Sequence, residues 1–182
     1  MPLLYSLSLP LDSSMIDFKL KGVDEKEYSV ASFKDKKFLV IVFTCNHCPY
    51  AQASWPRLIE LQKEFASRDI QFVGINPNDD RKYPDDSFSN MKLLAKEKSV
   101  NFPYLRDASQ EVARAYQAQC TPDVYVYDRA RQLKYHGRMD DNWQEPTKVK
   151  SHDLKNALET LLQGKVPSEK QMPSMGCSIK WK

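Results

Sequence analysis

The sequence predicts an α/β domain: a mixed central β-sheet flanked by helices, with an N-terminal hairpin and a C-terminal tail. Three features carry that expectation. The runs "FLVIVF" (38–43) and "IQFVGIN" (70–76) are mainly apolar and continuous, as in strands buried on both faces. A helical pattern between them makes the pair parallel and joined by a crossover. Downstream, "DVYVYD" and "RQLKYHG" flank a tight turn and read as an antiparallel hairpin.

Along the chain, "MIDFKLKGVDEKEYSVASF" reads as two short strands turning near Gly22, Val23 and Asp24. After the first buried strand a helix is expected from about Asn46 to Ser67, because Trp55, Leu58, Ile59 and Phe65 recur at helical spacing. Pro56 inside it predicts a kink. "PNDDRKYPDD" is a polar loop, and "SFSNMKLLAKEKS" a helix capped at Ser87 or Asp86. "NFPYLRD" is a short extended piece, followed by a helix over "ASQEVARAYQ". In "VYVY" tyrosines alternate with valines, which predicts one face in the core and one at the surface. "SHDLKNALETLLQG" is a final amphipathic helix stopped by Gly164. Residues 165–182 show no periodicity and read as a tail. No repeat or low-complexity tract divides the chain, so 1–182 is expected to be a single domain.

The 182 residues suffice for one sizeable core, and 28% charged with 11% aromatic residues is an ordinary soluble profile. A net charge of +3, with signs mixed along the chain, gives no basis for a nucleic-acid partner. The opening "MPLLYSLSLPLDSSM" lacks a basic start and a cleavage site, so it does not read as a signal peptide. The longest apolar run, 38–43, is too short to span a bilayer, and no membrane partner is expected. The expected compartment is the cytoplasm, where thiols stay reduced. Four cysteines there are not a disulfide framework, and a close pair points to catalysis or metal binding.

That pair is Cys45 and Cys48, in "FTCNHCPYA", where a buried strand hands over to a helix. Two intervening residues in a first helical turn bring both sulfurs to one face, within reach of a disulfide. Cys45, at the expected helix N-terminus, is the expected thiolate and attacking sulfur. Cys48, one turn deeper, is the expected resolving sulfur. His47 adds a cationic or hydrogen-bonding neighbour to Cys45, and Pro49 removes an N–H from the first turn. In "CTPDVYVYD", a cis bond between Thr121 and Pro122 would turn the backbone toward the pair, and the amide and carbonyl there could bind an extended substrate.

With "FTCNHCPYA", "TPDVYVYD", "YHGRMDD" and "GCSIKWK", the chain from about residue 15 onward resembles the thioredoxin-like superfamily. Within it the chain is similar to the peroxiredoxin-like branch grouped with alkyl hydroperoxide reductase and thiol-specific antioxidant proteins. The resemblance implies a nucleophilic role for Cys45, a resolving role for Cys48 and a cis-proline at Pro122, with His47 matching the histidine of disulfide isomerase motifs. Two departures stand out. Thr44 precedes the first cysteine in place of the usual tryptophan. Leu39 lies where thioredoxin has a buried proton-relaying acid, so a relay is sought at Asp79 or Asp141. Neither cysteine sits in the Pro-x-x-x-Thr-x-x-Cys frame of peroxiredoxins.

The resulting expectation is a thiol–disulfide oxidoreductase using Cys45 and Cys48, supported by His47, Thr44, Thr121 and Pro122. It needs no bound cofactor, takes protein or small-molecule disulfides and thiols, and draws electrons from a reductase or a small thiol. The alternatives are a thiol peroxidase, with Cys120 or Cys177 as resolver, and a metal-binding or metallochaperone protein. The second is disfavoured because one Cys-x-x-Cys supplies two ligands where zinc wants four. Cys120 and Cys177 are extra thiols or buried packing groups. Arg138, Asp140 and Asp141 are candidates to approach the pair, as are Asn76, Asn78 and Asp79 on the edge where ligands gather in open α/β sheets. His136 and His152 are expected to be surface residues.

Overall fold

The computed structural model describes residues 3–182. Its centre is a seven-stranded mixed sheet whose strands lie side by side in the order 27–29, 19–22, 104–106, 70–76, 38–43, 123–127 and 133–137. Strand β2 (Lys19–Gly22) and strand β3 (Glu27–Ser29) form the expected N-terminal hairpin. Strands β4 (Phe38–Phe43) and β5 (Ile70–Asn76) are parallel, with Phe38 opposite Ile70 and Phe43 opposite Ile75. Helix α1 (Pro49–Phe65) crosses between them and runs on through Pro56. Helix α2 (Phe88–Glu97) is capped by Ser87, whose hydroxyl accepts from the Asn90 N–H. It leads to β6 (Tyr104–Arg106), parallel to β5. Short helix α3 (Glu111–Ala115) precedes β7 (Cys120–Thr121). The antiparallel hairpin of β8 (Asp123–Tyr127) and β9 (Leu133–Gly137) closes the sheet. Helix α4 (Asp153–Leu162) ends before Gly164, whose φ of +74° suits a residue without Cβ.

The alternation of β4 divides the core. Val40 and Val42 face α1, α2 and α4 with Trp55, Leu58, Met91 and Leu158. Leu39, Ile41 and Phe43 face the other side with Phe33, Tyr116 and Tyr125. Burying each such large side chain contributes about 1.5–3 kcal/mol. The prediction of an exposed face on β8 is corrected here: Tyr125 and Tyr127 are buried as fully as Val124 and Val126. The N-terminal segment and α3 cover the second face of the sheet, a tertiary covering that strand periodicity alone does not report.

The C-terminal stretch is more than a tail. Met175–Ser178 form β10, which pairs antiparallel with both β1 (Leu3–Tyr5) and β7 in a small second sheet. No helix among the described residues is long and apolar enough to cross a membrane.

Candidate active site

Helix α1 begins at Pro49, and this moves the cysteines relative to expectation. The residue before a proline is pushed out of the helical region, so Cys48 is extended (φ −73°, ψ 127°) and takes the N-cap position. Cys45 therefore lies in the connection after β4, and Cys48, not Cys45, stands at the helix start. Both residues are fully buried, and no disulfide links any of the four cysteines. The two thiols pack together in one buried cluster with Ala51 and Cys177.

The surroundings separate the two thiols. Cys48 is drawn down to about 5, first by the hydrogen bond from the Cys45 thiol. Burial opposes this, but the Cys177 thiol and the backbone N–H groups of Ala51 and Cys177 add further donors to the same sulfur. Cys45 is pushed well above the ordinary thiol range by its burial, by holding the shared proton, and by the negative charge of Asp86. Within the pair, the helix start and these donors draw Cys48 down while burial pushes Cys45 up.

Thr121 and Pro122 lie against the pair, joined by a cis peptide bond. The Thr121 hydroxyl is 3.3 Å from Cys45 Sγ, and the Thr121 carbonyl lies 3.4 Å from Cys48 Sγ, where it accepts from that sulfur only while the thiol is protonated. Thr44 is buried beside them, its N–H bonded to the Ile75 carbonyl and its hydroxyl without a partner among the described residues. Trp55, one face of α1 inward, donates its indole N–H to the Cys45 carbonyl at 3.3 Å and packs edge-on against Tyr104.

His47 does not hydrogen-bond either cysteine. Its Nδ1 donates to Asp86 Oδ2 at 2.5 Å, and its ring stacks on Tyr83. Asp86 is completely buried and accepts four bonds. Oδ1 takes the Asn46 N–H (2.6 Å) and Asn76 Nδ2 (3.1 Å), while Oδ2 takes His47 and Asn78 Nδ2 (2.9 Å). Burial alone would raise this carboxyl, but His47 and the other donors hold it below its ordinary value. Tyr104 joins the network by donating to Asn46 Oδ1 at 2.8 Å. Cys45, His47 and Asp86 are the Cys/His/acid group among the described residues whose ligand atoms all lie within 4.8 Å. With four donors already on the carboxylate, both lone pairs of each oxygen are taken, which disfavours it as a metal ligand.

Asp86 is the acid that sequence reasoning missed; it figured only as a helix cap. Asn76 and Asn78, expected near the ligand edge, reach the site through it. Asp79 pairs with Arg81 (2.9 Å), and exposed Asp141 accepts the Lys150 N–H (2.9 Å), so neither adjoins the thiols. Arg138, Asp140 and Asp141 line a cavity of about 300 Å³ together with Tyr50, Pro122 and Trp143. Arg57 holds that wall by bonding Asp140 (2.5 Å) and the carbonyls of Asn142 and Trp143. His136 is corrected from surface to core: it bonds Asp123 at 2.9 Å and stacks on Tyr125. His152 is exposed.

Cys120 is buried, its thiol directed at the Pro122 carbonyl at 3.7 Å and pushed well up by burial. Cys177, by contrast, packs directly with Cys45, Cys48 and Ala51.

A profile of the AhpC/TSA family matches residues 11–136. A conserved protein of Geobacillus kaustophilus is 41% identical over 100% of this chain and 97% of its own, with a TM-score of 0.95. A protein of Sinorhizobium meliloti 1021 is 37% identical over 98% of each chain, with a TM-score of 0.93. A thiol:disulfide interchange protein of the thioredoxin family from Chlorobium tepidum is 25% identical over 72% of this chain and 87% of that one, with a TM-score of 0.58. No curated protein matches. The fold is thioredoxin-like.

Proposed function

The chain belongs to the AhpC/TSA family, and from that membership we propose that it is a thiol–disulfide oxidoreductase working through Cys45 and Cys48. The observation that carries this reading is the packing of both thiols in one buried cluster, with Cys48 at the start of α1, where its thiol is drawn down to about 5. In the proposed cycle Cys48 thiolate attacks one sulfur of a disulfide RS–SR. A Cys48–SR bond forms and RS⁻ leaves. Cys45 then loses its proton and attacks Cys48 Sγ, forming the Cys45–Cys48 bond and expelling the second RS⁻. Two thiols are oxidised and one disulfide is reduced, and a reductase or small thiol returns the electrons. His47, whose Nδ1 is held by Asp86, keeps its buried Nε2 without a partner among the described residues, and that nitrogen is the proposed acceptor of the Cys45 proton.

The test uses oxidised glutathione on the reduced protein. The reading expects a Cys45–Cys48 bond within residues 38–57 and two glutathione thiols released per chain. A Cys48→Ser variant that reacts as fast as the natural protein would refute it. The family also favours attack by the same thiolate on a peroxide. That second reading is lost if hydrogen peroxide oxidises Cys48 no faster than free cysteine.

A further inference from the structure

The cysteine pair is covered by the chain's own C-terminal strand, and the manner of covering is specific. In β10, Cys177 lies directly opposite Thr121, and Ser178 opposite Cys120. Residues opposite each other in an antiparallel pair project to the same face, and neighbours along a strand project to opposite faces. Thr121 projects its hydroxyl onto Cys45, so Cys177 is presented to the thiols and Cys120 is turned away. Gly176 makes this approach feasible. A Cβ there would stand 2.1 Å from the Thr121 carbonyl oxygen and 2.6 Å from its carbon, so any side chain would force the strand off. The strand is tied on both sides. Ser174 and Ser6 exchange hydrogen bonds at 2.9 Å, and beyond Cys177 the Ile179 N–H bonds the Gln119 carbonyl at 3.1 Å. The Lys180 N–H bonds Asn78 Oδ1 at 2.8 Å. Cys177 is thus held in place, packed against Cys45 and Cys48.

We propose that β10 occupies the position an extended substrate would take on β7, and that Cys177 is a third redox thiol whose partner is Cys48. The proposal rests on the reading that Cys48 is the attacking sulfur. Once Cys48 carries a disulfide, to Cys45 or to a small thiol RS, Cys177 loses its proton and attacks Cys48 Sγ. The Cys48–Cys177 bond forms, the older bond breaks, and Cys45 or RS⁻ leaves and takes up a proton. The exchange moves a disulfide without net oxidation, so the disulfide that loaded Cys48 is the sole oxidant required. Burial is the first cause that holds the Cys177 thiol above its ordinary value, so little of it is thiolate near neutrality, and exchange should speed up as pH rises.

The chain's basic residues place each thiol conveniently: trypsin leaves Cys45 and Cys48 in peptide 38–57, Cys120 in 115–129 and Cys177 in 171–180. A Cys45→Ser variant is treated with oxidised glutathione, quenched in acid and digested. The expected product is 38–57 joined to 171–180, and the Cys48–glutathione adduct should live at least about tenfold longer in Cys45→Ser/Cys177→Ser. The natural protein, which does not depend on the variant folding, should show the same joined peptides in glutathione buffers, rising with pH. The proposal is overturned if the adduct persists equally in both variants, with no joined peptide in the natural protein, while Cys177→Ser still forms its Cys45–Cys48 bond. A Cys177→Ser protein unable to form that bond would overturn the underlying oxidoreductase reading as well.

Discussion

Replacing Cys45 by alanine removes the foremost donor to the Cys48 sulfur. A hydrogen bond to a charged group is worth about 1.5–3 kcal/mol, and one pKa unit corresponds to about 1.4 kcal/mol. The Cys48 pKa should therefore climb by about one to two units from its position near 5, leaving it near 6–7. Its thiolate population at pH 7 would fall from about 99% to roughly 50–90%, compared with about 3% for a free cysteine. Thiolate absorbance at 240 nm, titrated from pH 4 to 9, reads this without requiring a reagent to reach a buried sulfur. Cys177 lies at about 12 and Cys120 and Cys45 are also raised, so the natural reduced protein should give a single-thiolate step near pH 5. That step should vanish in Cys48→Ser and move upward in Cys45→Ala. A step that survives in Cys48→Ser, or does not move in Cys45→Ala, would refute the assignment of the charge to Cys48.

The same depression couples to stability. Between about 5 and the ordinary thiol value of 9.0 the folded protein binds fewer protons at Cys48 than the unfolded chain, so stability rises with pH there and is lost as pH falls through about 5. Melting temperature measured between pH 5 and 8 under reducing conditions should climb, and Cys48→Ser should flatten the climb. Asp86→Asn puts an amide N–H₂ where four donors converge. Urea denaturation should show a loss of about 2–5 kcal/mol, and removing the negative charge should make the Cys45 thiol more acidic. Gly176→Ala forces β10 away from Thr121. Alkylation of Cys48 by iodoacetamide, followed by peptide mapping, should accelerate at least about tenfold as local opening becomes cheaper. An unchanged rate would mean that another part of the chain covers the pair.

Much of the architecture could be read from local pattern. The two apolar runs became β4 and β5, and Ser87 caps α2, because these features depend on neighbours within a few residues. The site was legible to the extent that its parts are local. Cys45 and Cys48 are close because two residues separate them, and Thr121 and Pro122 lie where a returning strand was expected. What escaped was long-range. Nothing in "PNDDRKYPDD" ties Asp86 to the Asn46 N–H forty residues earlier. The pairing of 175–178 with β1 and β7 joins segments that have no shared periodicity. The helix start was missed by three residues, although Pro49 carried the needed signal: a proline at the first helical position leaves the preceding Cys48 extended. That small offset reverses which sulfur is expected to carry charge.

Trp55 gives the molecule an optical reporter. Its indole is sealed from water, rests on Tyr104 and holds the backbone oxygen of Cys45, whereas Trp143 and Trp181 are only partly covered. Its emission should dominate the blue edge of the fluorescence spectrum. Any step that bonds or releases Cys45 displaces the group on which that indole hydrogen bond depends, so each turnover can be followed by light without a label.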